Sequence, residues 1–449
     1  MPLTQTDDSI VADRSRYCQS SSSIALSART IIESNEGGSG IGSSSLNLVI
    51  QGLLVALAGG LAAQLVARWL NLPDILFFLV VGILLGPQGI DAFHIAPTSG
   101  MSDFLFTIGT LAMLYEGGRS LELTMLAKIW RGTAILSTMG VLITAVVMAL
   151  AIHVFLGSRW ILAWLMAAVL SSTDPATIIP LFRQIRLKPL LARLVEAESA
   201  FNDATSSALS LLLLGVIDSG QAHFGVATVQ FFRLLLGGLL IGALCSYALN
   251  ALLTQRRYRH IVLDSLEHPA IISLVIMLVS YAVATRLGAS GFMAAFTAGI
   301  VSGNRHRYAR TLSDERGLAH ENYLFTNATV IRMLIFILLG SQVDFGQVSH
   351  ILVPGLILIA IFMFISRPLT VMLCLPLDRR GHWTLKDMAF VSWVRETGVM
   401  PAALAGIFAA AKVPGAKTLS AMVFLAVLLT ILVQGATTRW WVERLGLNP

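Results

Sequence analysis

The basic residues of this chain alternate in a way that few folds allow. Reading apolar runs of membrane-crossing length as spans gives thirteen, at about 46–67, 72–86, 101–118, 132–156, 160–181, 190–217, 226–254, 268–286, 289–303, 322–342, 350–376, 386–411 and 416–438. The loops after odd-numbered spans, with the span ends that border them and the C-terminal tail, hold twenty Lys and Arg, clusters such as Arg183, Arg186, Lys188 and Arg193 among them. The loops after even-numbered spans, with the span ends that border them, hold four: Arg159, Arg286, Lys412 and Lys417. Cytoplasmic loops carry the basic excess, so the N-terminus is expected outside and the C-terminus in the cytoplasm, in a bacterial inner (plasma) membrane. A missed or invented span would scramble the alternation from that point on.

Composition agrees. Of 449 residues, 55% are hydrophobic and 12% charged, against about 25% charged in soluble domains. The net charge of +6 sits in short loops rather than on one face, which argues against a nucleic-acid partner. Cys18, Cys245 and Cys374 are too scattered for a disulfide or metal pattern, and the histidines fall in loops or near span ends. There is no phosphate-binding GxxxxGK[ST] loop, no HExxH and no nucleophile elbow. No cofactor is expected, and no enzyme. Residues 1–45, rich in Ser and Gly, read as a disordered tail, residues 46–440 as one transmembrane domain, and 441–449 as a short cytoplasmic tail.

An odd number of spans leaves room for two inverted six-helix repeats joined by the seventh span, a common transporter plan. The fifth span of each half then corresponds: span 5 carries Ser171-Ser172-Thr173-Asp174-Pro175, and span 12 carries Arg395-Glu396-Thr397-Gly398 followed by Pro401. A proline removes the bond to the carbonyl four residues back, which would free Ser171 C=O and Thr397 C=O. Pro175, Gly398 and Pro401 therefore mark discontinuous helices. Unwound backbone is tolerated at membrane depth only where protein buries it or where it lines a cavity.

Between these lies Glu198-Ser199-Ala200-Phe201-Asn202-Asp203, inside an apolar run from about 190 to 216. A charged side chain at a helix centre costs about 2.5–3.5 kcal/mol on insertion scales. Ser199, Asn202 and Asp203 share one helical face, a set of hard oxygen donors suited to a small dehydrated cation or a proton. The plain alternative is an interhelical hydrogen-bond clamp. Asp174 with Thr173 is a second candidate, or a helix cap; Glu116 is a third, or an interfacial acid. Glu198 lies about 140° from Asp203 around the helix and needs another partner. Arg395 is the expected one, as a structural ion pair, with Glu196 and Glu396 as competitors for it. Arg233, Arg332 and Arg367 are expected to snorkel to an interface.

Thr173-Asp174-Pro175, Glu198 to Asp203, Glu116-Gly117-Gly118 and the Arg395 span together resemble the sodium/proton antiporters of the NhaP and Na⁺/H⁺-exchanger type. Pro73-Asp74-Ile75, Gly82 to Pro87 and Phe296 to Val301 look like flanking signatures of the same family. The resemblance covers residues 46–440. It implies thirteen helices forming a mobile six-helix core and a dimerisation domain, in a homodimer working by an elevator-like motion. It also implies an ion held by Asp203, Ser199 and Glu116, with the Thr173 carbonyl and Asp174 contributing and Asn202 in support. Asn before the essential Asp resembles the electroneutral branch. The family's Arg-Gly pair is here Arg395-Glu396, an extra carboxylate. The expected activity is exchange of Na⁺ (or Li⁺, K⁺) for H⁺. The alternatives are a K⁺/H⁺ antiporter for potassium or volume homeostasis, a cation channel, and a non-transporting sensor.

Overall fold

Apolar segments in a bilayer must satisfy their own backbone N–H and C=O groups, which a helix does within one segment. The computed structural model is accordingly helical, with no strand among the described residues. It describes residues 43–70, 72–93, 95–173, 187–220, 224–254, 269–304 and 314–447. The chain divides into two compact units, 1–51 and 52–449. The described residues of the first, 43–51, are helical.

The helices are α1 (Ser43–Leu70), α2 (Asp74–Leu85), α3 (Gly100–Arg119), α4 (Leu123–Leu156), α5 (Trp160–Leu170) and α6 (Pro189–Ser219). Then come α7 (Phe224–Thr254), α8 (Pro269–Arg286), α9 (Gly291–Gly303), α10 (Asp314–Ser341) and α11 (Phe345–Ile361). A π-turn at Phe362–Ser366 leads into α12 (Arg367–Cys374), followed by α13 (Leu385–Trp393), α14 (Val399–Ala410) and α15 (Ala416–Thr430). A second π-turn, Ile431–Gly435, leads into α16 (Ala436–Leu445). Among the described residues, six stretches of 20 to 34 residues are long and apolar enough to cross a membrane. Rows of exposed apolar side chains, such as Leu236, Leu240 and Leu244 on α7 and Leu352, Val353 and Leu356 on α11, suit a lipid surface.

Polar residues start the helices where chemistry dictates. Ser99 accepts from Ser102 N–H at the head of α3, Ser290 from Met293 N–H at α9 and Asp344 from Gln347 N–H at α11. Thr384 and Asp387 form a reciprocal capping box at α13.

Helix crossings rest on small residues, as expected where lipid removes much of the hydrophobic drive and close contact supplies the attraction. A Cβ on Gly118 of α3 would stand 2.1 Å from the Phe296 carbonyl of α9, and one on Gly299 would stand 2.1 Å from the Tyr115 carbonyl of α3. Gly82 of α2 and Gly340 of α10 pack the same way, each against the other helix's backbone.

Two segments are broken. Helix α5 stops at Leu170, with Ser172 and Thr173 outside it; Asp174 and Pro175 lie outside the described residues. Between α13 and α14 the chain is non-helical from Val394 to Gly398. Pro401 follows this break directly, and Thr397, four residues before it, lies in the non-helical stretch. The proline itself sits in the first turn of α14, where a missing N–H costs nothing.

Replacing Gly118 with Ala should destabilise the α3–α9 crossing by about 1–3 kcal/mol, the usual cost of overpacking. A lowered melting temperature of the purified protein checks this; an unchanged one would show that the crossing can relax.

Candidate functional site

The end of a helix leaves its last carbonyls without partners, and α5 ends among buried residues. Helix α6, which runs unbroken past this point, meets them with hydroxyls. Ser206 Oγ donates to Ala168 O at 2.6 Å, and Ser199 Oγ donates to Thr173 O at 2.5 Å. Asn202 Nδ2 donates to Thr173 Oγ1 at 3.2 Å and to Glu198 Oε1 at 3.3 Å. Ser172 Oγ donates to Asp203 Oδ1. Ser199, Asn202 and Asp203 thus face the break together.

From the other broken segment Arg395 reaches across to donate through Nη2 to Ser171 O at 2.5 Å and through Nη1 to Thr144 Oγ1 at 3.2 Å. Its guanidinium also lies over the Phe362 ring, 4.9 Å from the centroid. A cation here faces the negative end of the α5 dipole.

Glu198 does not pair with Arg395. Its carboxylate accepts both prongs of Arg367, Nη1 to Oε1 at 3.0 Å and Nη2 to Oε2 at 2.9 Å. Arg367 also donates Nε to Val391 O at 3.1 Å. The pair is buried, with side chains 1% and 2% exposed. The cause is geometric: both Glu198 oxygens are taken by the Arg367 fork, while Arg395 is committed to the Ser171 carbonyl. Arg367 therefore does not snorkel. A forked, planar guanidinium matched to a carboxylate is the geometry best able to offset burial of both charges. Glu196, the competitor considered for Arg395, pairs with Arg193 at 2.8 Å.

Asp203 is only half-buried. Asn202 Oδ1, on the neighbouring residue, is buried and has no hydrogen-bond partner among the described residues. Glu116 ends α3 and takes Arg119 Nε at 3.1 Å. Its neighbour Gly117 stands near Ala200 of α6, which brings the end of α3 toward the same stretch. Asp174 lies outside the described residues. Among those described, no three His, Cys, Asp or Glu side chains converge as a metal cluster. Among the described residues, the donors at the break are one acid and neutral oxygens, a low charge count better matched to a monovalent than to a divalent ion.

Sequence reasoning missed Arg367, Ser172 and Thr144. Arg367 sits well inside the apolar run 350–376, and an ionisable group at such depth is a sign of a buried partner.

Replacing Arg367 with Leu should cost about 3–5 kcal/mol by stranding Glu198, read as loss of thermal stability or of folded protein. The exchange E198R/R367E should recover part of that loss, and E198R/R395E should not. The opposite pattern would restore the Arg395 pairing.

The family model described as the transmembrane sodium/hydrogen exchanger matches residues 52–444. The K(+)/H(+) antiporter NhaP of Alkalimonas amylolytica is 30% identical over 397 residues, covering 87% of this chain and 66% of that protein. The low-affinity Na(+)/H(+) antiporter NhaS1 of Synechocystis is 27% identical, covering 90% of this chain and 76% of that protein. The chain thus spans about two thirds to three quarters of these relatives. The solved structure of the sodium proton antiporter MjNhaP1 from Methanocaldococcus jannaschii shares the fold, with a TM-score of 0.77 at 24% identity over 90% of this chain and 100% of that one. This integral membrane chain belongs to the sodium/hydrogen exchanger family, among the NhaP-type cation/proton antiporters.

Proposed function

We propose that this protein exchanges a monovalent cation, Na⁺ first, for H⁺ across the membrane, with both competing for Asp203. The observation that carries this reading is one half-buried acid at a helix break, hydrogen-bonded by Ser172 and next in sequence to Asn202, whose amide oxygen has no partner among the described residues. Burial favours the neutral carboxylic acid and a bound cation favours the carboxylate. One group can therefore hold either guest, never both. Carrying the empty, charged site through low dielectric is penalised, so the loaded forms cross and the fluxes are coupled.

Ser199 and the Thr173 carbonyl, hydrogen-bonded to each other, would supply further oxygens, with Glu116 and Asp174 contributing and Asn202 in support. Glu198 with Arg367 would hold α6 to α12, and Arg395 would steady the break. The wider frame belongs to the same proposal: thirteen spans in two inverted halves, a core moving against a dimerisation domain in a homodimer, and a cytoplasmic C-terminus in the inner membrane. One cation for one proton makes exchange electroneutral.

A second reading keeps the mechanism and changes the ion to K⁺. It is favoured by the relative named as a K(+)/H(+) antiporter, at 30% identity against 27% for NhaS1.

D203N should lose exchange down to the level of empty proteoliposomes while expressing and folding normally. The assay is cation-driven dissipation of a pH gradient, with Na⁺, Li⁺ and K⁺ compared and the membrane potential clamped. Exchange surviving in D203N would overturn the site, and a rate that follows the potential would overturn electroneutrality.

A further inference from the structure

A second group of hard oxygen donors is buried at the other broken segment. Arg395 is turned toward Ser171, whereas the next residue, Glu396, lies against the π-turn Ile431–Gly435. Its Oε1 stands 2.8 Å from where a Cβ on Gly435 would be. Only the absence of a side chain at 435 lets the carboxylate approach that backbone. Glu396 is 2% exposed.

The neighbouring residue of the break is tied to the same wall: Thr397 N–H donates to Thr430 Oγ1 at 3.0 Å. Gln434, four residues beyond Thr430, falls on the same helical face and so is turned toward the break. Gln434 is fully buried, and neither its amide oxygen nor its amide nitrogen has a hydrogen-bond partner among the described residues. The buried Thr397 hydroxyl has none either. Buried polar atoms are nearly always matched, and leaving one unmatched forfeits its full solvation. Several such atoms at one wall point to a guest. π-turns of this kind recur at functional sites because they open the helix locally.

A carboxylate, a carboxamide oxygen and a hydroxyl are the donor types of Asp203, Asn202 and Ser199 over again. We propose that Glu396, Gln434 and Thr397 form a second binding site for a monovalent cation, separate from Asp203, in the break between α13 and α14. It shares with the proposed exchange only the premise that monovalent cations enter the protein's interior.

Equilibrium uptake of radioactive sodium by the purified full-length protein tests this, in the wild type, D203N, E396Q, Q434L and D203N/E396Q. Two independent sites filling by mass action predict that D203N and E396Q each lose about half of the saturable uptake, and that the double variant loses all of it. In the D203N background, Q434L should weaken the remaining binding without changing any charge, which keeps the test open should E396Q fold poorly. Uptake by E396Q and Q434L equal to the wild type would overturn the proposal and leave the reading of Asp203 intact. Uptake unchanged in D203N and abolished in E396Q would do the reverse. Potassium competing more strongly than sodium for the uptake that D203N retains would support the site and name its preferred ion.

Discussion

Much of the centre of this protein follows from one requirement: the carbonyls at the broken end of α5 must be satisfied away from water. Ala168, Ser171 and Thr173 each present an oxygen there, and two other elements supply the donors. Ser206 and Ser199 come from α6, and Arg395 comes from the opposite break. The hydroxyl-rich face of α6 makes sense in these terms, since a fully apolar helix would leave the carbonyls stranded. The same face then carries Asn202 and Asp203 to the break. The site is thus a by-product of solving a backbone problem.

Charge is divided between two kinds of group. Glu198 and Arg367 are locked together by a forked pair of hydrogen bonds and are buried. Such a pair adds little net stability but is costly to break, which suits a fixed strut. Asp203 instead accepts from the Ser172 hydroxyl and is partly accessible, which suits a group whose partner changes. Lys188 and Asp387, 3.0 Å apart, add a tie between the heads of α6 and α13. The pair that stays charged and the acid that must alternate are thus different groups, with Asn202 hydrogen-bonded to Glu198 between them on α6.

Much of this was legible in the sequence. The apolar runs and the alternation of Lys and Arg gave the helical membrane class, and the polar residues of spans 5 and 12 marked the breaks near Thr173 and Gly398. The shared face of Ser199, Asn202 and Asp203 followed from helical spacing alone. Pairing across the bundle did not. Spacing says where Glu198 points, and nothing in one dimension says whether Arg367 or Arg395 waits there. Pro401 gave the place of a break but not its extent: proline is tolerated in a first turn, and the sequence does not say where the helix starts.

The account stands on competition at one carboxylate. Its most direct test is the apparent KM for Na⁺ measured in proteoliposomes across a range of pH. Competition for Asp203 predicts that KM rises as pH falls, approaching about tenfold per pH unit once the carboxylate is mostly protonated, while the maximal rate at saturating Na⁺ holds constant. A KM indifferent to pH, with protons changing only the maximal rate, would contradict it.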